Sequence, residues 1–600
     1  VNSTQGQANG PSGEPHLAPD GDMRQLSADG RFYVFTSHSS NLASDDASRH
    51  FEVFLRDRQL GTTVRVSQPI TGPFPNGDSF EPCISADGST VAFVSEATNL
   101  ANVVTKNEMN VYVWLRATGK IVCATAPAND ISWQPTIDAN GGEVAFTSYA
   151  TNLVSTDVYG FANIYVFNTA SGSLTRASVA TSGDTDGDST YPSFDGAGRY
   201  LAFQSQADNL VTHQSNQATD VFVRDLVGKT TAEISVDSTG AELQGASQSP
   251  SISSDGTLVA FTTYAAPAQA PSFSFWVGGA SIMVRSITAK TTQLIDFPGH
   301  WYFGNNSWTY EFDFVHPVIS GNGRFVAAYA NDWYDPYSEE YLYPVSASDL
   351  FATFFPLTYL FYSVAVADPD VSFNADGTCV ALTSAWRGLI PDDTNGVNHV
   401  YVDEALGQQI LGMIVGPQNN KQVLAGAKTT GTLALMQPAP AGGLTVALSS
   451  NSTYLSVPAT VTVPAGAMSV PVTLTTSGAE SDYVIVTATG NSRSTGFGIS
   501  LVPVLMTLAS YSVTEGTASI QGTISVSAAP TTDQTFSFQV SGETPPISIG
   551  NVILKAGTAS VNFKVPLAAK QTPGSYTVAT WGDNDTSQVN FTVTPPTPRK

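Results

Sequence analysis

The chain of 600 residues is short of three things: cysteine, charge and long apolar runs. Cys83, Cys123 and Cys379 are its only thiols. No C-x-x-C pair occurs, which excludes a disulfide framework and a thiolate zinc site and leaves three small buried apolar side chains. Charged residues make up 12% of the chain, about half the ordinary share, so Ser, Thr, Asn and Gly must cover much of the surface. Basic residues are the scarcest: 25 Lys plus Arg stand against 50 Asp plus Glu, a formal net charge of −25. Such a chain repels phosphate, which excludes nucleic acid and anionic membrane surfaces as partners. No apolar run approaches the roughly 18 residues a membrane helix needs, so no membrane span is expected. The chain begins at Val1 without a signal-like apolar segment. This is the expected form of a secreted or cell-surface protein after leader removal.

What is present is a repeat. An Asp/Asn-Gly type turn followed by a β-rich run recurs as SADGRFYVFTS (27–37), SADGSTVAFVS (85–95), DANGGEVAFTS (138–148), DGAGRYLAFQS (195–205), SSDGTLVAFTT (253–263), SGNGRFVAAYA (320–330) and NADGTCVALTS (374–384). Asp-Gly and Asn-Gly supply the positive φ of a tight hairpin turn. After each comes a strand with alternating apolar residues, as in EVFLRDR (52–58), NVYVWLR (110–116) and DVFVRDL (220–226). A short turn and a fourth strand follow, as in GTTVRVS (61–67). Four strands per repeat without helical period describe a propeller blade.

These residues resemble the TolB-like, WD40-like β-propeller repeats of bacterial exported proteins, whose signature is the S-x-D-G turn, the hydrophobic run and D-V-F-V-R-D. The resemblance implies an all-β, seven-bladed β-propeller over residues 22–416, preceded by an extended segment, 1–21. It implies no function, because propellers host unrelated activities. The α/β-hydrolase domain of the peptidase relatives and the N-terminal α/β domain of the envelope subunit have no counterpart in this sequence.

Beyond residue 416 the repeat stops. TVTVPAGAMSVPVTL (460–474) matches NVILKAGTASVNFKV (551–565), each within a stretch of short alternating strands. Two Ig-like β-sandwich domains are expected, at 417–504 and 505–600. PAPAGGLTVALSSNS (438–452) resembles the Ig-like modules of bacterial surface proteins.

Catalytic motifs are missing: there is no GxSxG elbow, HExxH or P-loop. The alternating Asp184, Asp186 and Asp188 of SGDTDGDS offer a pattern that can converge on calcium, set against the simpler reading of a solvated turn. The stretch DDTNGVN (392–398) offers the same pair of readings. No other cofactor is expected. Residues 296–363 hold Trp301, Tyr302, Trp308, Tyr310, Trp333, Tyr334 and Tyr337 among many carboxylates, with Arg324 as the one basic residue. Three readings compete for this stretch: ordinary core, a protein–protein or self-assembly patch, and a platform for a neutral glycan. A glycosidase would need two converging carboxylates, for which Asp332, Asp335, Glu339 and Glu340 are the candidates. The expectation from sequence is a non-catalytic surface or extracellular protein that assembles or binds. The propeller would be its contact disc and the Ig-like pair its connector; a neutral-polysaccharide adhesin is the alternative and a glycan-active enzyme the weakest reading.

Overall fold

The computed structural model describes residues 8–12, 24–43, 49–103, 105, 108–126, 128–155, 160–212, 217–265, 280–295, 312–332, 339–344, 355–356, 371–377, 379–384, 399–403, 410–414, 422–435, 438–477, 482–490, 493–502, 504–510, 512–514, 517–541, 547, 549–567, 574–581 and 586–594. Every regular element among them is a β-strand, and none of the described residues forms a helix able to cross a membrane. The chain divides into two compact units: Val1–Pro267 with Trp276–Leu406, and Ala268–Phe275 with Gly407–Lys600.

The first unit is a series of small antiparallel meanders of the β-propeller type. Each repeat of the sequence gives one sheet. The second sheet is Ser79–Ile84, Thr90–Ser95, Asn110–Leu115 and Lys120–Cys123 in spatial order, each strand paired with the next. The third (Ser132–Ile137, Glu143–Ser148, Asn163–Asn168, Leu174–Arg176), fourth (Ser189–Phe194, Tyr200–Ser205, Asp220–Asp225, Thr230–Glu233) and fifth (Ser247–Ile252, Leu258–Thr263, Ser281–Ser286, Thr292–Leu294) repeat it. So does the sixth, from Phe312–Ile319 to Phe355–Pro356. The first sheet (Phe32–Ser37, Glu52–Asp57, Thr62–Arg65) and the seventh (Val371–Phe373, Val380–Ser384, His399–Asp403) each have three described strands. Strands such as Thr90–Ser95 are buried at every position, because each sheet is covered on both faces by its neighbours. That is why their sequences read as continuous Val-Ala-Phe runs rather than alternating ones. The three cysteines are buried in these interiors and form no disulfide.

The repeated turns join the sheets into a circle. Ala28 N–H donates to Ala86 O at 2.8 Å, Asp87 to Ala139 at 3.2 Å, Ala139 to Gly196 at 3.1 Å, Gly196 to Ser254 at 2.8 Å and Ser254 to Gly321 at 2.9 Å. Asn322 Nδ2 then donates to Asp376 O at 2.6 Å. Ala375 N–H returns to Ala28 O at 3.3 Å. Gly88 shows why these turns need glycine: its φ is +67°, and a Cβ there would sit 2.4 Å from Phe32 Cδ2 of the preceding sheet.

Part of the N-terminal segment lies on its own chain. Ser12 Oγ meets Ser37 Oγ at 2.9 Å, as Ser79 meets Ser95 at 2.8 Å in the second sheet. Asn9 exchanges bonds with Ser40 as Asn76 does with Thr98. Residues 8–12 thus replay, ahead of the first sheet, the connection that precedes the second.

The second unit contains two pairs of sheets. In the first pair, Ile410–Ile414, Lys428–Leu435, Ser469–Thr476 and Leu455–Ser456 form one sheet. Gln422–Leu424, Arg493–Val502, Asp482–Gly490, Leu444–Ser450 and Thr460–Val463 form the other. One core, including Leu433, Leu474, Val446, Val486 and Ile499, draws on both sheets, so they pack face to face. Leu444–Ser450 alternates buried and exposed positions, the period of a sheet with one wet face. The second pair encloses Met506, Ile524, Phe536, Leu554, Val565 and Val578 in the same way. The strand Ile410–Ile414 pairs with Lys428–Leu435.

Candidate functional site

The innermost strands share a feature that the sequence reading did not use. Glu81, Gln134, Tyr191, Ser249 and His316 have φ of 48°, 53°, 57°, 53° and 52°. Each precedes a proline: Pro82, Pro135, Pro192, Pro250 and Pro317. At each, the pairing with the next strand slips register, between Phe80 and Cys83 in the second sheet and between Val315 and Val318 in the sixth. Proline cannot donate to a ladder, so it tolerates the inner strand only at such a bulge. Left-handed φ at a residue other than glycine costs about 1–3 kcal/mol and persists only where surroundings enforce it.

The enforcement is a belt of bonds running from sheet to sheet. Glu81 Oε2 accepts Gln134 N–H at 2.7 Å. Gln134 Oε1 accepts Tyr191 N–H at 3.0 Å and Thr147 Oγ1 at 3.0 Å. Gln204 Oε1 accepts Ser249 N–H at 2.8 Å, and Thr262 Oγ1 accepts His316 N–H at 3.2 Å. Ser249 Oγ and His316 Nδ1 lie 3.1 Å apart. Glu81 is 4% exposed, and burial pushes its carboxyl up to about 7 while the Gln134 N–H pulls the other way. Burial lowers His316 to about 4. Burial thus favours the protonated carboxyl of Glu81 and the uncharged imidazole of His316.

Toward the turn end, Arg24 of the first repeat reaches the carbonyl of Phe194 in the fourth sheet and, at 2.8 Å, that of Ile252 in the fifth. A pocket there is lined by Arg24, Ala86, Asp138, Ser254, Gly321 and Asn374, among others. Lining residues from repeats so far apart in sequence place it on the common axis. Burial raises Asp138 and also Asp195, the latter opposed by Arg24.

A second group lies on the outer strands. Two residues before the middle of the third strand, and at the facing position of the fourth strand, the first sheet has Glu52 and Arg65, paired at 3.0 Å and each 1% exposed. In the third sheet these positions hold Asn163 and Arg176, the latter paired with Asp184. The second has Asn110 and Cys123, the fifth Ser281 and Leu294. The fourth has Asp220 and Glu233, joined by Glu242, with ligand oxygens all within 4.8 Å of one another. The Glu233 carboxyl is raised to about 8, first by burial and then by the charges of Asp220 and Glu242.

The residues singled out from sequence fare differently. Asp184 is the ion-pair partner of Arg176. Asp186 Oδ1 accepts Asp208 N–H at 2.9 Å, and Asp188 Oδ1 accepts Ala162 N–H at 2.8 Å. Each thus serves a different neighbour, and the group with metal-ligand spacing among the described residues is Asp220, Glu233 and Glu242 instead. Trp301, Tyr302, Trp308, Tyr310, Trp333, Tyr334 and Tyr337 lie outside the described residues, as do Asp335 and residues 392–398. Asp332 ends the strand Phe325–Asp332, and Glu339 and Glu340 begin Glu339–Pro344.

No protein-family model matches the chain, and no curated protein matches it. Solved structures do. An oligogalacturonate lyase in complex with manganese is 11% identical, with a TM-score of 0.42 over 67% of this chain and 94% of its own. A putative TolB from Agrobacterium tumefaciens is 14% identical, with a TM-score of 0.29 over 46% and 80%. The Dos1 propeller is 10% identical, with a TM-score of 0.31 over 62% and 90%. Peptidases are also among the similar structures. The expectation of a purely non-catalytic assembling or binding protein conflicts with this company, which mixes enzymes with other proteins, and it is withdrawn. Likeness at this level assigns no activity in its place.

Proposed function

We propose that the first unit is a seven-bladed β-propeller, that the second is a pair of Ig-like domains, and that the working site is the propeller axis at the Glu81–His316 belt. There the chain binds a small polar ligand, and Glu81 exchanges a proton with it, either to hold it or to transform it. One observation carries this reading: five consecutive inner strands hold non-glycine residues in left-handed backbone beside proline, and the residues so placed include a buried carboxyl and a neutral imidazole. Strained backbone clusters at active sites, ligand clamps and switch regions. An extracytoplasmic setting remains part of the proposal and rests on the scarcity of charge.

The test is a thermal-shift screen of small hydroxy, amino and amide compounds against the whole chain and its Glu81→Gln, Tyr191→Phe and Ser249→Ala variants. Compounds that stabilise the wild type and lose that effect in Glu81→Gln support the axial site, and each is then assayed for turnover. Compounds whose effect survives all three substitutions would place the site elsewhere and sink the reading.

A further inference from the structure

The outer-strand positions described above form an internal comparison. In the first and third sheets a guanidinium occupies the fourth-strand position and meets a buried carboxylate: Arg65 with Glu52, Arg176 with Asp184. In the second and fifth the same positions carry no charge at all, being Asn110 with Cys123 and Ser281 with Leu294. At these positions no charge stands without its opposite. The fourth sheet instead has a carboxylate at both acidic positions, Asp220 where the first has Glu52, and Glu242 in the loop where the third has Asp184. It then puts a third carboxylate, Glu233, where the others have arginine.

The local structure holds the three in place. Ser235 Oγ donates to Asp220 Oδ1 at 2.9 Å and is itself the acceptor for Val221 N–H at 3.1 Å. Asp220 is wholly buried. Asp237 folds the loop bearing Glu242 by accepting the N–H groups of Thr239 at 2.8 Å and Ala241 at 2.9 Å. Glu242 is tied back to Val236 by a β-bridge. Glu233 Oε1 is shut off from solvent and accepts no hydrogen bond. A buried carboxylate oxygen without a donor is costly, and here it lies within 4.8 Å of two other carboxylate oxygens.

We infer that Asp220, Glu233 and Glu242 bind a calcium ion, which stands in the fourth sheet where a guanidinium stands in the first and third. The donor set is all oxygen and anionic, the preference of a hard divalent cation. A dication would cut the charge of three carboxylates to that of one and supply the missing partner of Glu233 Oε1. The site is independent of the axial belt and sits on the outer strands, so it clamps the 236–246 loop to the sheet edge.

The experiment is calcium titration of the chelator-treated whole chain, by calorimetry and by thermal unfolding. Wild type binds Ca2+ and its unfolding midpoint rises with Ca2+ concentration. Glu233→Gln and Glu242→Gln each weaken binding at least ~10-fold, and Asp186→Asn leaves it unchanged. Glu233→Arg restores the pairing of the first and third sheets: it unfolds no earlier than calcium-free wild type and no longer responds to calcium. Absence of Ca2+ binding by the wild type overturns the inference. So does a calcium response that survives in Glu233→Gln, Glu233→Arg and Glu242→Gln, and its loss in Asp186→Asn would move the site to the 184–188 turn.

Discussion

Glu81 Oε2 accepts the backbone N–H of Gln134, one sheet further round the ring, at 2.7 Å. A carboxyl that titrates near neutrality is therefore also a fastener between neighbouring sheets, and stability should depend on its charge. Folding raises the Glu81 pKa from 4.5 to about 7. Between those values the folded state binds more protons than the unfolded one, so stability falls as pH rises through this window and levels off above it. Glu81→Gln keeps an acceptor for Gln134 and removes the titration. The variant should be more stable than wild type at pH 8, by on the order of 2 kcal/mol, and closely matched at pH 4.5. Urea unfolding at both pH values decides it; equal pH slopes would show that Glu81 ionises as an ordinary carboxyl.

The strain at Gln134 predicts an unusual order of substitutions. Alanine there loses the bonds to Tyr191 and Thr147 and keeps the unfavourable φ of 53°. Glycine loses the same bonds and removes the strain. Gln134→Gly should therefore be less damaging than Gln134→Ala, by about 1 kcal/mol, the reverse of the order in an ordinary strand. Thermal unfolding of the two variants side by side is sufficient.

The buried pair in the first sheet should behave as a unit. Glu52 and Arg65 are both 1% exposed, so Glu52→Gln leaves a guanidinium buried without its counter-charge and should cost about 3–5 kcal/mol. Adding Arg65→Met should return much of that loss. A double-mutant cycle measures it, and additive costs would mean the two charges are solvated separately.

Gly88 faces both a backbone and a packing constraint. Gly88→Ala puts a methyl group at φ +67° and 2.4 Å from the Phe32 ring, and should cost about 2–4 kcal/mol. Combining it with Phe32→Val should relieve the steric part only. A variant with wild-type unfolding would show that the turn can shift away from its neighbour.

Much of the fold was legible because its signals repeat in kind. The Asp-Gly turns recur with the same residues, and the second strands recur as Val-Ala-Phe runs, since both of their faces are buried. The belt was illegible because the residue type changes at every repeat, from Glu81 to Gln134, Tyr191, Ser249 and His316. Its constant element is the proline that follows, always three residues before the turn, as Pro82 stands before Ser85 and Pro250 before Ser253. A proline recurring within an inner strand was the available sign of a bulge. The acidic trio was hidden for another reason. Asp220, Glu233 and Glu242 are far apart in sequence and fit no ligand motif; only the strand register that sets Glu233 opposite Phe222, as Arg65 is set opposite Phe54, reveals them. The closely spaced Asp184, Asp186 and Asp188 drew attention by proximity along the chain, which the turn converts into three separate errands.

The circle of turns also fixes when this unit can finish folding. Its last seam joins residues distant in the chain: Gln25 N–H donates to Ser372 Oγ at 3.0 Å across 347 positions. During synthesis at about 5–20 residues per second, the first sheet must wait roughly 20–70 s for the seventh to emerge. Through that interval Leu26, Tyr33 and Phe35, which finally pack with Cys379 and Ala381, have no covering sheet. Until the seventh repeat is made, this apolar end of the unit lacks the residues that cover it, and transiently exposed apolar surface of that kind favours aggregation.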